Sequence, residues 1–373
     1  MNNLLGGAVT PTWTFEGNPV IELLLHCLSP TPDVQAIQTL AQHSTHWKTL
    51  HELAIAHRTI PVLYDRLHKL CPDTPPKPLL DKLRSACHAI ALKNMFVTSE
   101  LSRIITLMAT QGIDTMPYKG PILAQTLYTD LRMRQYGDLD IVIQPQNMLR
   151  VEKILIEEGY RPYFGQKTEA ELAAYMANKN EHTYDFYHDQ KKIFIEMHWR
   201  FWPVFFSSVH PKDIWHRREP AKIGDVDTSN LQIEDALVIL CMHGSRHQWE
   251  RLAWLCDVAT LIEKYPNLDW EKTILTAEQW GARRMLYLGL YLSNCWLKAT
   301  LPDTIRKKVL ADSSIVKLAI QVDEQIFSPK TPERTLASTR YQIRARERWQ
   351  DKITCAQSFL YWLLRGRPTD HHT

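Results

Sequence analysis

Hydrophobic positions recur at helical spacing through the first hundred residues of the chain. Leu53 and Ala54 follow Leu50 at intervals of three and four, before a break near Pro61, and this spacing predicts two helices. A later periodic run ends at Gly112, a typical helix stop. The proline-rich segment CPDTPPKPLLDK, which precedes that run, has the composition of a connector. The first part of the chain therefore predicts helices and carries no evident chemistry.

The pattern changes after Gly112. IDTMPY is short and extended, GPILAQTLY is helical, DLDIVI alternates polar and apolar positions, and PQNMLRVEKILIEEGY returns to helical period. Two aromatic and β-branched runs, HTYDFYH and KIFIEMHWRF, then follow with a polar DQK between them, which predicts a hairpin. This order of elements predicts a small mixed sheet with helices on one face.

From LQIEDALVILCMHG onward the apolar stripes are again helical. The pattern predicts an α+β protein, with a small mixed β-sheet core between N-terminal and C-terminal α-helical regions. The predicted divisions are residues 1–111 for the N-terminal helical region, 112–205 for the α/β core and 206–373 for the C-terminal helical domain.

The composition indicates a cellular location and argues against some classes of binding partner. The net charge of +3 comes from 44 basic and 41 acidic residues mixed along the chain, so nucleic-acid binding is unsupported and no anionic membrane surface is indicated. Seven widely spaced cysteines predict buried thiols in a reducing compartment. The N-terminal segment lacks the basic region and apolar run of a signal peptide, and no apolar stretch approaches the roughly 20 residues of a membrane span. We therefore expect a cytoplasmic protein.

Two aspartates in the strand DLDIVI are the first candidates for chemistry. Alternate side chains of a strand share a face, so Asp138 and Asp140 project together while Leu139 and Ile141 face the core. Paired carboxylates can hold a hard divalent cation. With 41 acidic residues in the chain, however, a pair at this spacing also arises by chance and can simply face solvent.

Two further features favour a site. Lys119-Gly120 lies between a short strand and a helix, where free N–H groups and the positive helix end can bind phosphate. Glu196 lies in the apolar strand KIFIEMHWRF and shares a face with Phe194 and His198. A carboxylate in such a run is costly to bury alone, and a nearby cation removes that cost. The alternative for Glu196 is the solvent face of an edge strand.

The runs YKGPILAQTLYTDLRMRQYGDLDIVI, IEMHWRF and HGSRHQWERLAWLCDV together resemble the uncharacterised bacterial nucleotidyltransferase-like proteins of the polymerase-β superfamily. The similarity extends from about residue 48 to 262. It implies a nucleotidyltransferase core that uses Mg²⁺ or Mn²⁺ and an NTP, ATP among them. The implied reaction transfers a nucleoside monophosphate to an unidentified acceptor, such as a peptide, a protein or a small molecule, and releases pyrophosphate.

The resemblance also assigns roles to particular residues. It makes Asp138, Asp140 and Glu196 the catalytic carboxylates and the metal ligands. The residues that it implies for binding the nucleotide are Lys119, Gly120, Arg134 and His198. The chain departs from the superfamily pattern at Pro121, where Gly or Ser is usual, and in the sixteen residues that separate Pro121 from Asp138. The first departure concerns phosphate binding, and the second is expected to alter only a loop.

Other interpretations stay open at this point. The same fold can bind a nucleotide or a partner without catalysis, or transfer a phosphoryl group with the same metal site. His243 and His247 lie four apart, a spacing that can bind zinc, but no Glu follows the first His, so packing histidines are favoured. A third hypothesis has His247, Trp249 and Arg251 line the acceptor or base side of the cleft. The aromatic run HWRFWPVFF favours packing over base stacking.

Overall fold

The computed structural model describes residues 11–44, 46–207, 209, 211–327 and 334–365. The chain divides into two compact units, of which one joins Met1–Leu80 to Ala236–Thr373 and the other is the continuous segment Asp81–Asp235. The predicted boundaries at residues 111 and 205 stay predictions. The first ten residues, part of the N-terminal segment on which the cytoplasmic expectation rests, lie outside the described residues.

The described helices have the following bounds: α1 (Pro19–Leu28), α2 (Val34–Gln42), α3 (Trp47–Ala56), α4 (Ile60–Leu70), α5 (Lys77–Thr110), α6 (Gly120–Leu127), α7 (Met148–Glu157), α8 (Glu169–Ala177), α9 (Pro211–Trp215), α10 (Ile233–Arg246), α11 (Leu252–Lys264), α12 (Trp270–Gln279), α13 (Arg283–Leu297), α14 (Asp303–Ala311), α15 (Ser314–Ile326), α16 (Arg334–Arg344) and α17 (Trp349–Arg365). The described strands are β1 (Thr115–Pro117), β2 (Asp138–Ile143), β3 (Arg161–Pro162), β4 (Thr183–His188), β5 (Ile193–His198), β6 (Glu219–Ile223) and β7 (Val226–Asn230).

The predicted break near Pro61 and the predicted helix end before Gly112 are confirmed, but the predicted connector 71–82 is helical from Lys77 onward. The break near Pro61 separates α3 from α4, and Pro61 lies in the first turn of α4, where a proline is tolerated. Helix α5 ends at Thr110, and Gly112 follows with φ +67°, a conformation that glycine adopts without strain. Local sequence signals therefore decide the break before α4 and the end of α5, but not the start of α5.

In the unit formed by both ends of the chain, the helices share a core. Helix α13 buries most of its residues and packs against α11 and α15. The backbone carbonyl of His57 accepts a hydrogen bond from the N–H of Ala253 at 3.2 Å. Trp13 meets Trp296 edge to face, with ring centroids 5.5 Å apart. Long-range packing thus joins the N-terminal helices to the C-terminal ones.

The central segment contains a mixed sheet of five strands in the order β1-β2-β5-β4-β3. Strand β2 runs parallel to β5, whereas its other neighbour β1, and both remaining pairs, are antiparallel. Helices α5, α7 and α8 supply side chains to the apolar core on one sheet face. The predicted α+β class, with a small mixed sheet flanked by helical regions, is confirmed.

Sequence reasoning missed a second, two-stranded sheet formed by β6 and β7. Its residues fall in a stretch interpreted as helical, and its strands carry few large apolar side chains. Gly224 in the connecting turn has φ +58°. The hairpin lies beside α6, where Gln125 Nε2 donates to the Lys222 carbonyl and Asn230 Nδ2 donates to Thr126 Oγ1, both at 2.9 Å. Tertiary contacts therefore stabilise strands that have little intrinsic signal.

None of the helices in the described ranges is both long enough and apolar enough to cross a membrane.

Candidate metal and nucleotide site

Strand pairing assembles a row of carboxylates across the middle of the five-stranded sheet. Asp140 of β2 lies directly opposite Glu196 of the parallel strand β5, and Glu196 in turn lies opposite Asp185 of β4. Cβ atoms of directly opposed residues are roughly 5 Å apart, so side chains on the same face interact. Asp138 projects from the same face two residues before Asp140, opposite Phe194. Three strands thus contribute acids to one sheet face.

The position of Glu196 excludes the alternative interpretation from the sequence. Strand β5 is the middle strand of the sheet and not an edge strand. The Glu196 side chain is 14% exposed. Burial opposes ionisation of this carboxyl group, but the hydrogen bond and charge of His198 and the charge of Lys119 outweigh it and lower its pKa. The solvent-face interpretation of Glu196 is therefore wrong.

Lys119 brings a positive charge into the acidic row. Its Nζ lies 2.7 Å from Oδ1 of Asp140, and the Lys119 side chain is only 14% exposed. Burial would lower the pKa of this ammonium group, but the charges of Asp140, Glu196 and Asp138 prevail and raise it. The backbone of Lys119 has φ 57° and ψ −149°, a conformation that is close to the glycine-only region and strained for a side chain.

The turn after Lys119 approaches the start of β2. Gly120 has φ +40°, and a Cβ at this position would lie 3.4 Å from the Asp138 carbonyl oxygen. Arg134 Nη1 lies 3.4 Å from the Gly120 carbonyl, so its guanidinium group reaches the same turn. Pro121 lies in the first turn of α6, where it is tolerated but provides no N–H group. Phosphate contact through the backbone would therefore use one donor fewer than a Gly-Gly or Gly-Ser turn offers.

His198 lies between the two facing carboxylates. Its Nε2 is 3.2 Å from Asp140 Oδ1 and 3.4 Å from Glu196 Oε2, and its Nδ1 is 3.4 Å from the Arg200 carbonyl. The Tyr118 hydroxyl lies 3.2 Å from the His198 ring nitrogens. Burial lowers the pKa of this imidazole, but the hydrogen bonds to Asp140 and Glu196 outweigh burial and raise it. Protonated His198 can hold both carboxylates in place.

Asp140, Glu196 and His198 are compatible with metal binding. One ligand atom from each residue lies within 4.8 Å of the others, and within the described ranges these three are the group with that geometry. Mg²⁺ and Mn²⁺ favour the carboxylate oxygens of Asp140 and Glu196, and the His198 imidazole could bind a metal ion only after it loses its proton. Asp138 is outside this close group, on the same face and half-buried.

The long gap between α6 and β2 is an ordered connection. It contains a short 3₁₀ turn at Leu131–Met133. Asn94 of α5 is buried, and its Nδ2 donates to the carbonyl groups of Leu131 at 2.9 Å and Arg134 at 2.8 Å. Asn94 thereby holds the segment that carries Arg134. No local pattern marks Asn94, because its partners lie about forty residues away in sequence.

Two side chains at the candidate site were not predicted from the sequence. Asp185 is buried opposite Glu196. Its place could have been inferred from the sequence, because the short turn between HTYDFYH and KIFIEMHW sets the hairpin register. Tyr118, which contacts His198, directly follows the edge strand β1. Its proximity depends on β1 pairing with β2, which the sequence does not specify.

The histidine pair and the aromatic run both lie in packed surroundings. His243 and His247 have ring centroids 4.8 Å apart, and both rings pack on Trp254. Trp249 is fully buried against Gly244 and Gly289, so it cannot line a cleft. In HWRFWPVFF, the side chains of Trp199, Phe201, Trp202 and Phe206 are buried. The packing interpretations thus fit the described structure.

The sheet places an Asp-x-Asp strand beside a parallel strand that carries a third carboxylate, with a Lys-Gly turn and a helix start alongside. That arrangement has the form of a nucleotidyltransferase core. The family described as "Uncharacterised nucleotidyltransferase" matches residues 43–298. This match covers more than half of the chain, which therefore belongs to this nucleotidyltransferase family. No curated protein and no solved structure matches the chain.

Proposed function

We propose that the protein transfers a nucleoside monophosphate from an NTP to an acceptor hydroxyl or similar group. The acceptor oxygen attacks the α-phosphorus, the bond from that phosphorus to the bridging oxygen breaks, and pyrophosphate leaves. One observation carries the proposal: the parallel pairing of β2 with β5 sets Asp140 opposite Glu196, with Lys119 Nζ 2.7 Å from Asp140. Membership of a nucleotidyltransferase family supports it.

The residues present fit divalent cations. Hard divalent cations prefer oxygen ligands, and Asp140 and Glu196 offer carboxylate oxygens close to each other and to His198 Nε2. Asp138, Asp140 and Glu196 would hold Mg²⁺ or Mn²⁺. When bound, the ions would activate the acceptor oxygen and neutralise charge on the leaving pyrophosphate.

The other side chains would bind and orient the nucleotide. Gly120 lets phosphate oxygens approach the start of α6, where the helix dipole favours negative charge. Lys119 and Arg134 add positive charge on the same side, since Arg134 reaches the Gly120 carbonyl. His198 would keep Asp140 and Glu196 aligned, and Glu196 would accept the proton of the acceptor.

The test uses labelled nucleotides. Purified protein is incubated with ATP, GTP, CTP or UTP, labelled separately at the α- or γ-phosphate, with Mg²⁺ or Mn²⁺. Candidate acceptors include the protein itself, peptides and small alcohols. We expect transfer of the α-label, loss of transfer on chelation with EDTA, and recovery when the metal ion is restored.

A matched pair of variants makes the test specific. Asp138→Ala combined with Asp140→Ala should abolish transfer. Asp227→Ala should leave transfer unchanged, because this side chain is 86% exposed and pairs with Lys222 on β6. Transfer that survives the double substitution would refute the site. Transfer of the γ-label alone would establish phosphoryl transfer, and MgATP binding with no transfer to any acceptor would favour a catalytically silent binder.

A further inference from the structure

On the acid-bearing face of the sheet, aromatic side chains lie between the acidic residues and strand β3. In the row that begins with Asp138, the next residues across the sheet are Phe194 of β5, Tyr187 of β4 and Arg161 of β3. Because opposed residues of neighbouring strands point to the same side, these side chains share the face of Asp138. Acids and aromatic rings are therefore adjacent on one surface.

Two further aromatic residues follow β3. The N–H of Tyr163 donates to the Asp185 carbonyl at 2.8 Å, which holds Tyr163 beside the carboxylate row. The Tyr163 ring meets the rings of Phe164 and Phe194 edge to face, with centroid distances of 5.0 Å and 5.1 Å. We call Tyr163, Phe164 and Phe194 the ring cluster.

The ring cluster differs from the aromatic core of the same sheet. Tyr184 and Phe186 of β4 face the opposite side and are buried. Tyr163 is 42% exposed and Phe164 is 43% exposed. Core packing therefore does not account for these two rings, and each keeps a substantial surface exposed to solvent.

The distances across the sheet suit a nucleotide. Phe194 on β5 lies one strand spacing of about 4.8 Å from Asp138 on β2. The Tyr163 ring lies 5.1 Å further on, from centroid to centroid, so the path from Asp138 to the ring cluster spans roughly 10 Å. The Lys119–Gly120 turn lies at the other end of the same path, beside the start of β2. A ligand whose phosphates lie at that turn can extend its planar ring over β5 and β4.

From this arrangement we propose that the ring cluster is a stacking surface for the nucleobase of the NTP substrate. The inference rests on the proposed function, because it takes the phosphates to lie at the Lys119–Gly120 turn. Rings that stack on a base tolerate different bases, since every base has a π-face. The surface would therefore add affinity to any NTP, with purines favoured by their larger ring area.

The test compares a probe that has a base with one that has none. Affinities for ATP and for inorganic triphosphate are measured by calorimetry with Mg²⁺ and without an acceptor. Wild type should bind ATP more tightly than triphosphate. Tyr163→Ala should weaken ATP binding by about five-fold or more and leave triphosphate binding unchanged, and Tyr163→Phe should retain the affinity for ATP.

Phe96→Ala is the control for loss of an exposed aromatic ring, because Phe96 is 48% exposed on α5. It should change neither affinity. Thermal unfolding establishes that Tyr163→Ala is folded, and the double substitution Tyr163→Ala/Phe164→Ala should enlarge the loss for ATP alone.

The outcomes separate the two proposals. If wild type binds ATP and triphosphate equally, or if Tyr163→Ala affects both probes alike or neither, the stacking surface is refuted while nucleotide transfer stands. If wild type binds neither probe and transfers no label, the proposed function fails, and the stacking surface fails with it.

Discussion

At the scale of single residues, Lys119 has two energetic costs, a strained backbone and a buried charge, and only the interactions of its ammonium group offset them. Its backbone conformation is one that glycine adopts freely and that costs other residues about 1–3 kcal/mol. Its ammonium group is buried beside Asp140. A glycine would relieve the backbone, so the lysine is present for its charge. Lys119 thus places a cation beside the acids, directly before Gly120.

Replacement of Lys119 tests this account. Lys119→Met should lower the free energy of unfolding by about 3 kcal/mol, because it removes the ammonium group that pairs with the buried carboxylate of Asp140. Lys119→Gly should be less destabilising, since it also removes the backbone strain. Mn²⁺ should stabilise both variants more than wild type, because the ammonium group no longer competes for Asp140. Urea unfolding with EDTA and with Mn²⁺ measures all three effects.

The control for this experiment is Lys222→Met, which removes an exposed surface pair with Asp227. It should change the free energy of unfolding by less than about 1 kcal/mol. A Lys119→Met protein that is as stable as wild type in EDTA would contradict the role given to the ammonium group.

At the scale of elements, helix α5 is attached to the sheet by an ion network around the buried carboxylate of Glu100. Glu100 accepts hydrogen bonds from Lys191 Nζ and the Tyr160 hydroxyl, both at 2.8 Å. Arg103 pairs with Glu100 at 2.7 Å and also with Glu158 after α7. The network therefore links α5, the end of α7 and the β4–β5 turn. It supports the sheet from the side opposite the acids.

Stability should depend on pH through Glu100. Burial opposes its ionisation, but hydrogen bonds from Arg103, Lys191 and Tyr160 outweigh burial and lower its pKa to about 2. Because the pKa is lower in the folded state, the ionised group stabilises the fold above pH ~4.5, and this contribution is lost as the pH falls towards 2. Glu100→Gln should therefore cost about 2 kcal/mol near pH 7, because water partly screens the partly exposed partners Arg103 and Lys191, and less as the pH falls below ~4.5.

Urea unfolding of wild type and Glu100→Gln between pH 7 and pH 3.5 measures that difference. Asp189→Asn is a suitable comparison, because it removes an exposed partner of Arg161 and should have a small effect at every pH. A difference between wild type and Glu100→Gln that stays constant over this range would contradict the ion-network account.

At the scale of the whole molecule, the candidate site belongs to one continuous segment. Asp81–Asp235 forms its own compact unit, and its core consists of residues from within that unit. The other unit is assembled from both ends of the chain. We therefore expect the segment that contains the candidate site to fold from contiguous sequence, whereas the other unit depends on pairing between the two ends of the chain.

A fragment of residues 77–235, which starts at the first residue of α5, should fold by itself. We expect cooperative thermal unfolding by circular dichroism, and Mn²⁺ binding that Asp140→Asn abolishes. A gradual transition without dispersed NMR signals would show that the segment needs the rest of the chain. A combined fragment of residues 1–80 and 236–373, joined by a short linker, is the matching test of the other unit.

The sequence by itself determined the strands β1, β2, β4 and β5, most of the helices, and the face on which Asp138, Asp140 and Glu196 lie. Alternation in DLDIVI and KIFIEMHW assigned Asp138, Asp140 and Glu196 to polar strand faces, because the side-chain period of a strand is two. The register agrees with that assignment, since Asp140 is opposite Glu196. The family resemblance, which depends on these motifs, was also available from the sequence and is confirmed.

Only the tertiary structure decided which strands are neighbours and therefore which of these side chains lie close together. Strand order, the central place of β5, and the approach of Lys119 and His198 to Asp140 depend on pairings between distant segments. Local propensity does not encode such pairings, because their energy comes from burial and from charges that become neighbours after folding. The β6–β7 hairpin and the hydrogen bonds of Asn94 to the segment before β2 were not predicted for the same reason: the partners lie far along the chain.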